Sequence, residues 1–295
     1  MKKLVLIDGS SYIYRAFYAL PPLTNSKGMP TGAIYGFVRM LLKLLKDLNP
    51  DYIAVVFDKS AKTFRQDIDK EYKATRKETP DELKVQIPKV KELIKDMGIE
   101  VLEKEGYEAD DIIAYLAEKA KLEGYQVYII TPDKDMLQLV DENVVIYNPV
   151  SDKFFDREEV YKKYGVYPHQ FVDYQAIVGD NVDNIKGVKG VGPKTAAKLL
   201  NEFDSLEGIL ANLDKLKPKQ KEAFTEALNR LEKNKILVKL ETKIDLPIDI
   251  NQLKLKQPNW DKLLKELEEL GFKKLLKEFE EKKEKDGTPK QQSLF

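Results

Sequence analysis

Nine carboxylates, Asp8, Asp58, Glu108, Asp110, Asp111, Asp133, Asp135, Asp180 and Asp183, are the residues of this chain whose types and spacing could do chemistry. Asp8 ends the apolar run Leu4-Val5-Leu6-Ile7, and Asp58 ends the run from Ile53 to Phe57. A third run, Val127 to Ile130, leads into Asp133 and Asp135. Acids gathered into one crevice repel one another unless cations neutralise them. A donor set of oxygen alone suits hard ions, Mg²⁺ or Mn²⁺, and two such ions can clamp an in-line phosphoryl displacement.

The elements that must position these acids follow from the same runs. Near-continuous hydrophobic segments read as buried parallel strands. The carboxyl ends of parallel strands share one edge of an open α/β sheet, so acids from distant segments can meet there. Up to about residue 165 the chain alternates strand and helix signals. Ile34, Phe37, Val38, Leu41, Leu45 and Leu48 have amphipathic helix spacing closed by Asn49-Pro50, and Gly98 to Val101 is a short strand. Ala109 to Leu122 reads as a helix with Glu108, Asp110 and Asp111 at its N-terminus, where acids also favour the helix dipole. Asp111 therefore has two readings, a helix cap or a ligand.

Composition removes other chemistries. The chain has 295 residues, 42% of them hydrophobic, enough for one substantial core or two modest ones. It has no cysteine, which excludes disulfides, thiolate zinc and a cysteine nucleophile. His169 is the one histidine and follows Pro168, so a Ser-His-Asp triad and a multi-histidine metal site are not expected. No segment approaches a membrane span, and the expected location is cytoplasmic. The formal net charge is zero, but the average conceals segregation: between Lys59 and Lys91 ten Lys/Arg stand against six Asp/Glu. A basic rim around an acidic, ion-filled floor suits a nuclease, because the rim holds backbone phosphates.

That basic segment interleaves cations and aromatics: Lys62, Phe64, Arg65, Tyr72, Lys73, Arg76 and Lys77. Such a pattern can hold a single strand, with phosphates on the cations and bases on the rings. Further on, Gly187-Val188-Lys189-Gly190-Val191-Gly192-Pro193-Lys194-Thr195-Ala196-Ala197-Lys198 has the form of a helix-hairpin-helix. Its glycines permit a tight hairpin, Pro193 suits the first turn of a helix, and the N–H groups at that helix start can take a phosphate. Lys189, Lys194 and Lys198 add charge without reading bases, so the expected target is duplex backbone.

In order along the chain, Leu6-Ile7-Asp8-Gly9-Ser10-Ser11, Val56-Phe57-Asp58, Gly106-Tyr107-Glu108-Ala109-Asp110-Asp111, Thr131-Pro132-Asp133-Lys134-Asp135 and the hairpin resemble the motifs of the 5′ nuclease (flap endonuclease) family. The likeness is greatest to the 5′-3′ exonuclease domain of bacterial DNA polymerase I and runs to about residue 280. It implies a PIN-like α/β fold with a central, mostly parallel sheet flanked by helices. A nuclease core over 1–170 would include a helical arch at about 60–92, and a helix-hairpin-helix region with C-terminal helices would fill 171–284. The implied activity is two-metal hydrolysis of DNA at 5′ flaps and nicks, and of RNA primers on DNA, in replication and repair. Asp8, Asp58, Glu108 and Asp110 would surround the first ion, and Asp133, Asp135, Asp180 and Asp183 the second, with Asp110 or Asp111 between. Lys73, Arg76 and Arg15 would clamp the phosphate, and Tyr14 and Tyr72 would stack on the unpaired nucleotide. Gly187, Lys189, Gly190, Gly192, Lys194, Thr195 and Lys198 would hold the duplex. Val182 and Lys186 stand where the family has Ser and Pro, so the metal acids carry over more directly than a K⁺ site at the hairpin.

Two competing classes fit less well. A non-catalytic DNA-junction binder would not need the acids, and Asp8-Gly9-Ser10 lacks the second aspartate that an aspartyl-nucleophile phosphatase uses. The sequence stops without a polymerase region, so a free-standing nuclease working with a separate DNA polymerase is expected. Trp260 to Lys285 reads as one amphipathic helix, or two broken at Gly271, packed on the body through Leu263, Leu267, Leu270, Leu275 and Phe279. Residues 285–295 read as a flexible tail. Its last five residues, Gln291-Gln292-Ser293-Leu294-Phe295, resemble the sliding-clamp-binding peptide of bacterial replication proteins, with Gln291, Leu294 and Phe295 as the contacting residues.

Overall fold

A computed structural model describes residues 2–59 and 62–287. The clamp-peptide residues Gln291, Leu294 and Phe295 lie outside the described residues, as does the start of the expected arch at 60–61. The chain opens with β1 (Lys3–Asp8), α1 (Gly9–Ala19), α2 (Gly32–Leu48), β2 (Tyr52–Val56), α3 (Phe64–Ile68), α4 (Asp81–Lys84), α5 (Ile87–Asp96) and β3 (Glu100–Leu102). It continues through α6 (Ala109–Leu122), β4 (Gln126–Ile130), β5 (Val144–Asn148), β6 (Lys153–Phe155), α7 (Arg157–Tyr164), α8 (Phe171–Val178), β7 (Gly179–Asp180) and β8 (Ile185–Lys186). The remaining helices are α9 (Pro193–Phe203), α10 (Leu206–Ala211), α11 (Pro218–Val238), α12 (Trp260–Glu269) and α13 (Lys273–Gly287).

Six strands form one sheet in the order β3-β2-β1-β4-β5-β6. β1, β4 and β5 are parallel, with Leu4 opposite Val127 and Val127 opposite Val144, while β6 returns antiparallel to β5. Leu4, Leu6, Ile7, Val127, Ile129 and Ile130 are all fully buried. That is why these runs are continuous rather than alternating: a strand covered on both faces gains about 1.5–3 kcal/mol for each large apolar side chain on either face.

By contact density the chain divides into two units made of discontinuous segments, 1–11, 56–78 and 102–250 in one, and 12–55, 79–101 and 251 onward in the other. Each unit draws segments from both sides of residue 170. In the second unit α2 buries Ile34, Phe37, Val38, Leu41 and Leu48, and Asn49 closes it in a left-handed conformation (φ 43°), its N–H donating to the Leu45 carbonyl. The C-terminal helices break at Gly271 (φ 74°), and Leu263, Leu267, Leu270, Leu275 and Phe279 are buried, as their spacing predicts.

In the first unit all nine acids and the whole hairpin are found together. The stretch after β2 is built from the five-residue α3 followed by turns through 70–75. β7 and β8 form a two-stranded ribbon beside the hairpin. Gly179 (φ 78°) and Gly187 make that ribbon fit, since a Cβ on Gly179 would lie 2.4 Å from the Gly187 nitrogen and one on Gly187 2.3 Å from the Val178 carbonyl oxygen.

Candidate metal centre and nucleic-acid interface

Asp8 sits at the carboxyl end of β1, 3% exposed. Its Oδ1 accepts the Ser11 N–H at 2.9 Å and its Oδ2 the Thr131 hydroxyl at 2.9 Å. Burial, and secondarily the charge of Asp58, push its pKa up to about 6 against these hydrogen bonds. Asp58 is more exposed. Its N–H donates to Ser10 Oγ at 2.9 Å and its Oδ1 accepts the Ala109 N–H at 2.8 Å, tying the end of β2 to the first turn of α6. The carboxylate thereby also meets the positive end of the helix dipole.

Asp110, on the first turn of α6, is raised well above the usual carboxylate range by burial and then by the charges of Asp133, Asp8 and Glu108. Asp133 caps the short 3₁₀ turn Lys134–Leu139, accepting the Asp135 N–H at 2.9 Å. Burial raises it, with Asp183 adding to the push. Asp135 is raised by burial and by Asp133, Asp183 and Asp180, while Gln175 donates a hydrogen bond to it. Burial acts to raise Asp180 as well, but Lys134 at 2.8 Å outweighs it and holds that carboxyl below its ordinary value. The mutual repulsion thus links Asp58, Asp8, Asp110 and Glu108 on one side with Asp133, Asp135, Asp180 and Asp183 on the other.

Among the described residues, no three of these acids close into a cage ready for an ion. Protein cations take up the charge instead. Lys73 Nζ lies 2.7 Å from Glu108 and 3.8 Å from Asp183, and Arg76 lies 3.0 Å from Asp183. The Tyr72 hydroxyl reaches Glu108 at 3.2 Å and Asp183 at 3.3 Å. Burial and these carboxylates raise the Tyr72 pKa, so the phenol remains a donor. Lys73 is held in the left-handed region (φ 56°) with its N–H on the Asp183 carbonyl at 3.1 Å, a strain of about 1–3 kcal/mol of the kind that collects at functional sites. The donor chemistry fits hard divalent ions: every candidate ligand is a carboxylate oxygen, and several of them are disfavoured as bare anions.

The structure places the other expected residues unequally. Tyr72 is 4% exposed and packed with Ala176, Ile185, Leu237 and Val238, so the stacking role expected of it finds no open ring face. In the second unit Tyr14 shares a 2.6 Å hydrogen bond with Thr79, and Arg15 is half-buried on α1. Asp111 is fully buried with both oxygens on Arg65, at 2.7 Å each. Lys189, Gly190, Gly192, Lys194 and Lys198 are exposed and Thr195 is half-exposed. Val188 N–H on the Ile177 carbonyl (2.7 Å), and Asn234 on the Ala176 and Lys186 carbonyls (3.0 and 2.9 Å), fix the hairpin from beneath. Lys189 and Gly190 also face Lys219 and Gln220, at the start of α11, across a cleft of about 420 Å³. Sequence reasoning missed the roles of Thr131, Lys134 and Gln175 beside the acids. Thr131 and Lys134 lie inside a quoted motif, but Gln175 carries no local signal.

Family models for the 5′-3′ exonuclease N-terminal resolvase-like domain and the 5′-3′ exonuclease C-terminal SAM fold match residues 3–165 and 166–261. The chain is 52% identical to a 5′-3′ exonuclease of Aquifex aeolicus over 273 residues, 92% of this chain and 93% of that protein. It is 46% identical to DNA polymerase I of Caldicellulosiruptor bescii over 92% of its own length, but spans only 33% of that polymerase. Among solved structures it resembles bacteriophage T5 5′-exonuclease with bound zinc (TM-score 0.69, 25% identity, 94% of this chain and 97% of that one). The catalytic core of Rad2 in complex with DNA substrate shares the fold (TM-score 0.59, 20% identity, 91% and 88% coverage).

Proposed function

This chain belongs to the 5′-3′ exonuclease family and is a metal-dependent nuclease, and from that premise we propose that it cleaves DNA at 5′ flaps and nicks, and RNA primers on DNA, in primer removal and repair. The observation that carries the reading is the repulsion linking Asp8, Asp110, Asp133 and Asp135, carboxylates disfavoured as bare anions and supplied by three separate segments. Two divalent ions, Mg²⁺ or Mn²⁺, would supply an activated water there and stabilise charge on the scissile phosphate and departing 3′ oxygen. Asp8, Asp58, Glu108 and Asp110 would hold one, and Asp133, Asp135, Asp180 and Asp183 the other. Lys73 and Arg76 leave their carboxylates to clamp the phosphate. Tyr14 remains as the candidate for stacking on the unpaired nucleotide.

The duplex is gripped through the exposed N–H groups at the start of α9 and through Lys189, Lys194 and Lys198, which neutralise phosphates without reading sequence. A K⁺ ion at the hairpin would serve the same backbone contact. The reading is tested with a labelled 5′-flap duplex. Cleavage near the flap junction is expected with Mg²⁺ and none in EDTA; an intact substrate under both conditions would refute it.

Recruitment is the second half of the proposal. A separate DNA polymerase would be its partner, and Gln291, Leu294 and Phe295 would place an apolar pair in a pocket of a sliding clamp. Deleting 291–295 is expected to abolish binding to an immobilised clamp and to leave flap cleavage on free DNA unchanged. Clamp affinity equal to that of the full chain would remove the tail from the scheme.

A further inference from the structure

One buried ion pair has no task in the scheme above. Arg65 is the largest of the fully buried side chains, 1% exposed, although it opens the segment that carries Lys73 and Arg76. Its two terminal nitrogens meet the two Asp111 oxygens at 2.7 Å each, and it also donates to the Leu237 and Lys239 carbonyls at 2.9 Å. Asp111 in turn accepts the Glu108 N–H at 3.2 Å and the Glu241 N–H at 2.9 Å. Four donors therefore converge on one carboxylate that has no exposed surface. Its oxygens are committed to protein partners, unlike those of Asp110 on the same turn, which repel Asp133 and Asp8.

Desolvating two charges offsets most of their attraction, so a buried pair of this kind does little for net stability that apolar side chains could not do. What it does fix is geometry. Arg65 Nη1 lies 3.6 Å from Glu108 Oε2, and Asp111 holds the backbone of the same residue. The fork thus joins α3, the N-terminus of α6 and the chain leaving α11 at the one glutamate among the metal acids.

We propose that Arg65 and Asp111 are a positioning pair that sets the Glu108 carboxylate for its ion, and that Asp111 is not itself a ligand. This deepens the metal-centre reading and rests on it. Partners that orient a metal ligand typically contribute 10- to 100-fold in metal affinity. The test is calorimetric titration of Mg²⁺, or Mn²⁺, into metal-free wild type, Asp110→Asn, Asp111→Asn, Arg65→Lys and the Asp111→Asn/Arg65→Lys double variant, at a temperature where circular dichroism finds each folded.

Asp111→Asn and Arg65→Lys are expected to bind as many ions as wild type but about tenfold more weakly, and the double variant no worse than either alone. Asp110→Asn is expected to lose an ion. Loss of an ion in Asp111→Asn with Arg65→Lys unchanged would make Asp111 a ligand and overturn the proposal. Wild-type affinity in both would reduce the pair to a structural tie and overturn it equally. If Asp111→Asn does not fold, Arg65→Lys decides, since lysine keeps the charge and loses the fork. Failure of the metal centre itself is distinguishable, because wild type and Asp110→Asn would then both bind nothing.

Discussion

Asp110→Asn is expected to lower flap cleavage by about 10³-fold or more and, at the same time, to raise the melting temperature of the metal-free protein. The two effects have one cause. Asp110 is forced up by burial and by Asp133, Asp8 and Glu108, so its ionised form is less favourable in the fold than in the unfolded chain. For a carboxyl with a raised folded pKa the stability present at low pH is lost as pH climbs from the unfolded value through the folded one. Asp8 sets the window: with its pKa pushed up to about 6, metal-free stability should fall between about pH 4 and pH 6, by roughly 3 kcal/mol from this group alone.

An asparagine cannot ionise, so the variant escapes its share of that penalty, and each kcal/mol recovered is worth about 2 °C in a protein of this size. Divalent ions relieve the same repulsion in wild type. Thermal melts in EDTA from pH 4.5 to 7.5 should descend for wild type and less steeply for Asp110→Asn, and Mg²⁺ should raise the wild-type midpoint more than the variant's. A variant that loses activity and melts lower in EDTA would mean that Asp110 is paired rather than pushed up by burial and its neighbouring acids.

How much of this was legible beforehand varies with the range of the interactions involved. β1, β2 and β4 could be read from the sequence because strands buried on both faces must be apolar throughout, and the acids that follow them could then be placed on one edge by topology alone. The helix-hairpin-helix was legible because its glycines answer to backbone constraints within a few residues. Arg65 and Tyr72 were not. In sequence they belong to a run of cations and aromatics that can hold a single strand, and their burial depends on partners far along the chain: Asp111, Leu237 and Lys239 for Arg65, Glu108 and Asp183 for Tyr72. No local pattern encodes a carbonyl 172 residues away. The two readings of Asp111 could not be separated for the same reason, since a cap and a ligand both demand an acid on the first turn of a helix.

Lys73→Met should have the opposite thermal sign from Asp110→Asn while again lowering cleavage, here by about 10²–10³-fold. Burial acts to lower the Lys73 ammonium, but Glu108, Asp183 and Asp110 outweigh it, so the side chain stays charged and serves as a counter-ion at 2.7 Å from Glu108. Methionine keeps the length and the strained backbone and removes only the charge. Glu108 then loses the closer of its two ion pairs, keeping only Arg65 at 3.6 Å, and the metal-free protein should melt lower than wild type. Mg²⁺ now has no lysine to displace from Glu108, so its apparent binding should tighten, and saturating Mg²⁺ should recover most of the lost melting temperature without recovering cleavage. That separation matters. A lysine that only stabilised the fold would give back activity along with stability, whereas one that leaves Glu108 to hold the scissile phosphate cannot be replaced by the ion that takes over its carboxylate. Melting curves in EDTA and in Mg²⁺, set beside single-turnover cleavage rates, measure both halves; cleavage restored by Mg²⁺ in Lys73→Met would confine Lys73 to the role of a counter-ion.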